Sequence, residues 1–346
     1  MTNYLPQGYK LNSPRGEYTI EAVIGRGATA IAYIAGFDSG NGLISKRILK
    51  ECYPSYVSIT RAESGDLLCE SRHEGKFSDV KRQFEISGAT QNDIRNISGL
   101  TNLVPPILDR IHSNNTVYLD VMNFDGETWE NKKGLSLLEK IRICLSVAKA
   151  VKRIHDADHL CLDLKPSNIL VLDTTSATDD VVHFIDFDSI RKKTNIGFGN
   201  SLSFTEMWAA PEQSNPYSYS SISEATDIYT LGELVFWSVF GRHSKPNEHR
   251  AFSAYPFDEA GSSESELNRK TIRDILSELF SNTLRSSAKN RYQTVNSVID
   301  GLEKLVAELN QKEYLVCQLV SPNELFVGQR PLHPSADGQC PRSRSE

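Results

Sequence analysis

Asp163, Lys165 and Asn168 share one short segment, Cys161-Leu162-Asp163-Leu164-Lys165-Pro166-Ser167-Asn168-Ile169-Leu170. An aspartate can accept a hydroxyl proton, a lysine two positions on can neutralise a transferring phosphate, and an asparagine carbonyl can hold a cation. The trio suits phosphoryl transfer. A second aspartate follows in Phe184-Ile185-Asp186-Phe187-Asp188, 23 residues beyond Asp163. That separation fits two strands of a hairpin carrying the two carboxylates back to one place, although an exposed hairpin with alternating charge would read the same.

Two further segments could handle a nucleotide. Gly25-Arg26-Gly27-Ala28-Thr29-Ala30 lies between two expected strands, where glycine lets backbone N–H groups approach phosphates with no Cβ in the way. A plain hairpin would use the same residues, and a dinucleotide-binding turn is excluded because the segment leads into a strand and not a helix. Arg47-Ile48-Leu49-Lys50 ends a strand with a lysine after an apolar pair, a position at which a lysine is more often simply solvated.

The elements that must hold these residues fall into two halves. Tyr18 to Ile24, Ile31 to Ala35 and Ile44 to Leu49 read as antiparallel strands, with Ser39-Gly40-Asn41-Gly42 as a turn. Residues 51–77 are polar and irregular and read as an insertion. A helix is expected over Val80 to Ala89 and a strand over Thr116 to Val121. Beyond Asn123-Phe124-Asp125-Gly126 the period changes: Leu138, Ile141, Leu145, Ala148, Val151 and Ile154 recur at three and four, the mark of an amphipathic helix. Asp227 to Phe240 is apolar all round and stopped by Gly241, so a buried helix is expected, followed by helices over Ile272 to Leu284 and Val295 to Leu309. Tyr314-Leu315-Val316-Cys317 reads as a short strand, and the rest of the tail has the composition of a disordered segment.

Taken together, the motifs resemble those of the eukaryotic-like (Hanks-type) serine/threonine protein kinases of bacteria. The Asp163 segment is similar to the catalytic loop H-R-D-L-x-x-x-N, with Cys161 and Leu162 in place of its first two residues. Arg47 to Lys50 resembles V-A-I-K and continues as Glu51-Cys52-Tyr53-Pro54-Ser55, as in many bacterial kinases. Asp186-Phe187-Asp188 resembles D-F-G, and Ala210-Pro211-Glu212, preceded by Thr205-Glu206-Met207-Trp208, matches A-P-E. Asp227-Ile228-Tyr229-Thr230-Leu231-Gly232 looks like the buried helix whose aspartate caps the catalytic loop, and Asn290-Arg291-Tyr292 like the arginine that pairs with the A-P-E glutamate. With the glycine loop these make seven matches in order over residues 17–309.

The resemblance implies an α+β, bilobal fold: a small antiparallel-sheet lobe over residues 17–124, with the insertion at 51–77, a mainly helical lobe over 125–309, and a tail over 310–346. It implies ATP between the lobes, its adenine against Ile24, Ala32 and Val121 and the backbone of Met122 to Phe124, its phosphates near Gly25, Gly27 and Lys50. Glu85 would pair with Lys50, although a second register puts Ser87 in the glutamate's place. Asn168 and Asp186 would hold magnesium, or manganese; Asp163 would deprotonate the acceptor hydroxyl and Lys165 would stabilise the moving phosphoryl group. Leu162 replaces the arginine that receives an activation-loop phosphate, so phosphorylation of Thr194, Ser201, Ser203 or Thr205 would lack that partner. Two functions of different class follow: an active kinase of this non-RD type, or a nucleotide-binding or scaffold pseudokinase, the latter suggested by Ala30, Cys161, Leu162 and Asp188 departing together. A small-molecule kinase of related fold is a third reading.

The bulk properties fit. Of 346 residues, 39% are hydrophobic and 24% charged, as in an ordinary globular protein. The net charge of −6 argues against nucleic acid or an anionic membrane as main partner. Cys52, Cys69, Cys144, Cys161, Cys317 and Cys340 show neither zinc nor disulfide spacing, and no residue run has the length and apolarity of a membrane span. The opening Met1 to Pro6 lacks the pattern of a signal peptide, so a cytoplasmic location is expected, with a protein substrate and a separate regulatory protein as partners.

Overall fold

The computed structural model describes residues 3–97, 99–172, 182–187, 189–196, 204–249, 255–260 and 265–319. Its first half is a six-stranded antiparallel sheet in the order β1-β2-β3-β4-β8-β7. The strands are β1 (Lys10–Ser13), β2 (Gly16–Arg26), β3 (Ala30–Asp38) and β4 (Ile44–Cys52), then β7 (Ile107–Ser113) and β8 (Thr116–Met122) after an excursion. Register sorts the side chains into two faces. Ala32, Lys50 and Leu119 stand opposite one another on one face, and Ile31, Glu51 and Tyr118 on the other.

The second face is fully covered. Leu5, Leu11, Tyr18, Tyr33, Tyr53, Val57, Leu67 and Tyr118 form one buried cluster with it. Residues 51–77, expected to be irregular, are ordered: β4 runs to Cys52, β5 (Ile59–Arg61) and β6 (Leu67–Cys69) form a hairpin, and the helix α1 (Glu74–Arg95) begins within the segment. The physical reason is a buried ion pair. Arg61 on β5 donates to both carboxylate oxygens of Glu51, at 3.0 and 2.6 Å, and the hydroxyls of Tyr33 and Tyr118 donate to the same carboxylate at 2.8 and 2.6 Å. Charges that make the segment look like a solvated loop are spent on each other under the hairpin, which clips it to the strand carrying Lys50.

α1 lies against the cleft face of the sheet, where Gly88 lets the helix approach the Leu119 side chain; a Cβ there would sit 3.0 Å from it. Past Met122 the chain enters a helical half. β9 (Glu127–Thr128) joins β11 (Ile169–Val171) and β12 (Val182–Phe184) in a three-stranded sheet, while β10 (His159–Leu160) pairs with β13 (Arg191–Lys192). α2 (Leu137–Asp156) is started by a reciprocal cap: Ser136 accepts from Glu139 N–H, and the Glu139 carboxylate accepts from Ser136 N–H. α3 (Glu224–Phe240) is capped by Ser223 and ends at Gly241, whose φ of 67° is the left-handed stop that glycine adopts without a Cβ penalty.

The short α4 (Phe257–Ala260), then α5 (Lys270–Thr283) and α6 (Asn296–Leu319), complete this half. One apolar core joins α2, α3, α5 and α6 to β11 and β12. The strand expected at Tyr314 to Cys317 is instead the continuation of α6, since a short apolar run at the end of an amphipathic helix prolongs the helix as readily as it forms a strand. Residues 320–346 of the tail lie outside the described residues, as do Asp188, Ser201 and Ser203. Among the described residues no helix is long and apolar enough to cross a membrane.

Candidate active site

The hairpin of β11 and β12 brings the two aspartate segments together. Ile169 stands opposite Phe184, and Ile185 N–H donates to the Asn168 carbonyl at 3.0 Å, so Asn168 and Asp186 flank the same end of the hairpin. Lys50, on the cleft face of β4, reaches across from the other half to Asp186 Oδ1 at 3.1 Å. The side-chain N–H of Asn168 donates to the Asp163 carbonyl at 3.2 Å, which leaves its amide oxygen as the atom suited to a cation.

Asp163 sits at the centre of a second set of bonds. Lys165 Nζ lies 2.9 Å from Asp163 Oδ2 and donates to Thr205 Oγ1 at 2.7 Å, while Thr205 N–H donates to Asp163 Oδ1 at 2.8 Å. With side chains only 11% and 21% exposed, Asp163 and Lys165 form a partly desolvated pair in which hydrogen bonds fix the carboxylate's direction. Trp208 and Ala209 both donate backbone N–H groups to the Thr205 carbonyl, at 2.9 and 3.0 Å, so the segment that meets Asp163 is itself a closed turn.

The backbone that presents Asp163 is strained and pinned. Leu162 has φ 65°, a left-handed conformation that costs a side-chain-bearing residue about 1–3 kcal/mol unless its surroundings impose it. Asp227 imposes it: its two carboxylate oxygens accept the N–H groups of Cys161 and Leu162, each at 2.8 Å. Two residues that sequence reasoning missed complete the clamp. His155 Nε2 hydrogen-bonds Asp227 Oδ2 at 2.7 Å, and Gln213 donates to the Leu162 carbonyl at 2.8 Å while accepting from Ala210 N–H at 2.9 Å. His155 is a lone histidine on the apolar side of a helix, where the commoner role is packing; Gln213 adjoins Ala210-Pro211-Glu212, and that adjacency was the available signal. The Cys161 thiol is buried, and burial, then the Asp227 charge, pushes its pKa well above the ordinary value, which disfavours the thiolate.

Leu162 is buried among apolar side chains. It packs with Leu160, Tyr219 and Ile222 in a small apolar cluster, with Ile196 of the 191–196 segment against it. Lower down, Glu212 and Arg291 pair as the motifs implied, Nη1 to Oε1 at 2.7 Å and Nη2 to Oε2 at 2.9 Å, with Arg291 also donating to the Ala225 carbonyl.

The glycine loop is fastened by the segment after Lys50. Gly27 N–H donates to the Ala30 carbonyl, Tyr53 N–H to Thr29 and Ser55 N–H to Ala28, at 2.8, 2.9 and 2.8 Å. A Cβ at Gly25 would meet nothing within 4 Å and one at Gly27 nothing nearer than 3.8 Å, so protein packing does not demand these glycines. The space they leave suits a ligand that the backbone must approach closely. Ala32 and Val121 lie on the Lys50 face, Val121 buried, while Ile24 and Met122 keep apolar surface exposed at the mouth. Met122 N–H donates to the Pro106 carbonyl, and the Phe124 ring packs on His183 at 4.2 Å.

Glu85 is the exception. The structure places its Oε1 3.1 Å from His112 Nε2 on the edge strand β7, two strands removed from β4 in the sheet order and roughly 10 Å away at ordinary strand spacing. It does not pair with Lys50, which meets Asp186 instead. The face of α1 turned to the sheet carries Phe84, Gly88 and Gln91, and a glutamate next to Phe84 in sequence points off that face.

Among the described residues no three histidines, cysteines or carboxylates converge on a metal position. A magnesium ion fits the donor set differently. One carboxylate, Asp186, and one amide oxygen, Asn168, are the kind of sparse oxygen donors that hold magnesium together with the phosphate oxygens of a substrate.

A strand-built lobe with a glycine loop and a lysine, facing a helical lobe with a clamped aspartate loop, is the architecture of a protein kinase domain. The protein kinase domain family matches residues 72–308, and the chain belongs to it. It is similar to a protein of Clostridium perfringens named "Probable serine/threonine-protein kinase", 25% identical over 239 residues, covering 67% of this chain and 34% of that protein. Serine/threonine-protein kinase D of Synechocystis is 23% identical over 211 residues, 59% of this chain and 39% of the relative. Mitogen-activated protein kinase 3 of Arabidopsis thaliana is 26% identical over 244 residues, 67% and 64% respectively. The chain thus spans little more than a third of the length of either bacterial relative.

Proposed function

We propose that this chain transfers the γ-phosphoryl group of ATP to a serine or threonine hydroxyl of a protein. The observation that carries the reading is the pairing of Lys50 with Asp186 beside an Asp163 carboxylate already held by Lys165 and Thr205. The acceptor oxygen attacks the γ-phosphorus, the bond to the β-phosphate oxygen breaks, and the hydroxyl proton goes to Asp163. Lys165 balances charge on the equatorial oxygens, and Lys50 with the open backbone of Gly25 and Gly27 orients the phosphates. Asn168 and Asp186 would hold magnesium, which when bound neutralises charge on the phosphates. Ile24, Ala32 and Val121 supply apolar contacts for adenine.

Leu162 in its apolar cluster supports a site that needs no activation-loop phosphate: Ile196 is held by hydrophobic contact where an arginine would otherwise await a phosphate. The second reading, a nucleotide-binding or scaffold module, is favoured by one observation, that Glu85 engages His112 and not Lys50. Labelled ATP, magnesium and a generic protein acceptor separate the two. Transfer is expected with magnesium and not with excess chelator, at a rate unchanged by prior phosphatase treatment. Nucleotide binding without transfer would establish the scaffold reading, and loss of transfer after phosphatase would overturn the phosphate-independent site.

A further inference from the structure

Tyr53, three residues after Lys50, is buried, and its ring meets two arginines. The Arg26 guanidinium, from the middle of Gly25-Arg26-Gly27, lies over the ring at 5.2 Å, and that of Arg61 on β5 lies 5.5 Å from the same centroid. Both distances are within the reach of a cation over an aromatic face. The two arginines differ in how they are held. Arg61 is buried, and besides the Glu51 carboxylate it donates to the Gly65 carbonyl at 2.8 Å and the Asn3 carbonyl at 3.2 Å, so its position is fixed. Arg26 is exposed and belongs to the glycine loop. The Tyr53 hydroxyl donates to the Ile59 carbonyl at 3.3 Å, which holds the ring from the hairpin side.

The backbone repeats the connection. Tyr53 N–H and Ser55 N–H bond the Thr29 and Ala28 carbonyls, and the Ser55 hydroxyl donates to the Ala28 carbonyl as well, at 3.2 Å. These bonds direct two carbonyls of the loop toward the 53–55 segment, and a carbonyl that confronted a phosphate would repel it. A loop held in shape before a ligand arrives also loses less freedom on binding, which favours affinity. From α1 no such fastening comes through Glu85, which meets His112.

We propose that Tyr53 is a positioning residue for the nucleotide: its ring, backed by Arg61, holds Arg26 and with it the glycine loop in the shape that receives the phosphates. Arg26 acts here through the ring and not as a phosphate ligand. The 51–61 segment is then part of the nucleotide site, although none of its side chains need touch the nucleotide. That the ligand is ATP rests on the kinase reading.

A double-mutant cycle on the full chain tests this, with the affinities of magnesium-ATP and of adenosine measured by calorimetry. Tyr53→Leu and Arg26→Gln should each weaken ATP binding about three- to fivefold, the scale of one cation–aromatic contact, and leave adenosine binding unchanged, because adenosine has no phosphates for the loop to hold. The double variant should bind ATP no worse than the weaker single one, since each change removes the same contact. Tyr53→Phe keeps the ring and should bind ATP as the unaltered chain does. Arg72→Ala, which breaks an exposed pair with Glu70 in the same insertion, should also have no effect. Additive losses in the double variant would make Arg26 a direct phosphate ligand and overturn the proposal. ATP affinity within about twofold in both single variants, or equal losses for ATP and adenosine, would also overturn it. If Tyr53→Leu does not fold, Arg26→Gln beside Tyr53→Phe still decides, because a loss in the first and none in the second is required. The expected pattern of affinities without phosphoryl transfer to any acceptor would leave the clamp intact and remove the kinase reading instead, whereas an unaltered chain that does not bind ATP would overturn both.

Discussion

Asp186→Asn is expected to lower phosphoryl transfer about a thousandfold while the protein stays folded. The substitution removes the carboxylate that pairs with Lys50 at the end of the hairpin shared with Asn168. Metal-assisted charge stabilisation of a moving phosphoryl group is worth several kcal/mol, and about 4 kcal/mol corresponds to that factor. Neighbours outside the donor set should matter far less, because the reaction asks the protein mainly for position and charge. Initial rates at saturating magnesium and ATP, read beside a melting curve, make the check. A variant within about tenfold of the unaltered chain would mean that the Lys50–Asp186 pair is structural and the metal lies elsewhere.

The second large effect is on stability. Arg291→Ala should destabilise the domain by about 3–5 kcal/mol, because it strands the Glu212 carboxylate in the core with Thr226 as its remaining side-chain donor. The Ala225, Arg285 and Ser286 carbonyls lose a donor in the same change. The melting temperature should fall by about 10 °C for a domain of this size, and removing both charges with Glu212→Leu and Arg291→Met should recover part of the loss. A single variant that melts with the parent would show that water replaces the guanidinium at no cost.

Much of this arrangement was legible because local signals and chemistry agreed. The three-and-four spacing and the Ser136 cap announce α2, Gly241 ends α3, and the apolar run before Asp186 sets the hairpin that meets Asn168. The Arg291–Glu212 pair followed from ordered motifs. What stayed hidden depends on distant partners. β1 exists only by pairing with β2, and the β5–β6 hairpin is held by the Arg61–Glu51 pair under aromatic cover. α1 begins without a side-chain cap and has a weak apolar face, so neither its start nor the direction of Glu85 could be read along the chain. His155 and Gln213 carry no local mark of their bonds to the catalytic-loop clamp, since those bonds span 72 and 51 residues.

The clamp also bears on how Cys161 and Leu162 are to be understood. The histidine and arginine usual in the family are absent, yet the backbone they occupy is fixed by Asp227, His155 and Gln213, and Leu162 trades a charged partner for an apolar one. The departures therefore change how the loop is held and leave Asp163, Lys165 and Asn168 in contact with one another.

If Asp163 takes the acceptor's proton, the decisive comparison is the initial rate of label transfer from magnesium-ATP to a serine-containing protein by the unaltered chain and by Asp163→Asn, with ATP affinity determined on both. The expected result is a loss of about 10²–10⁴ in rate, the range for removing a general base, with ATP affinity essentially unchanged. An unaltered chain that binds ATP and transfers no more label than the Asp163→Asn variant would contradict the account.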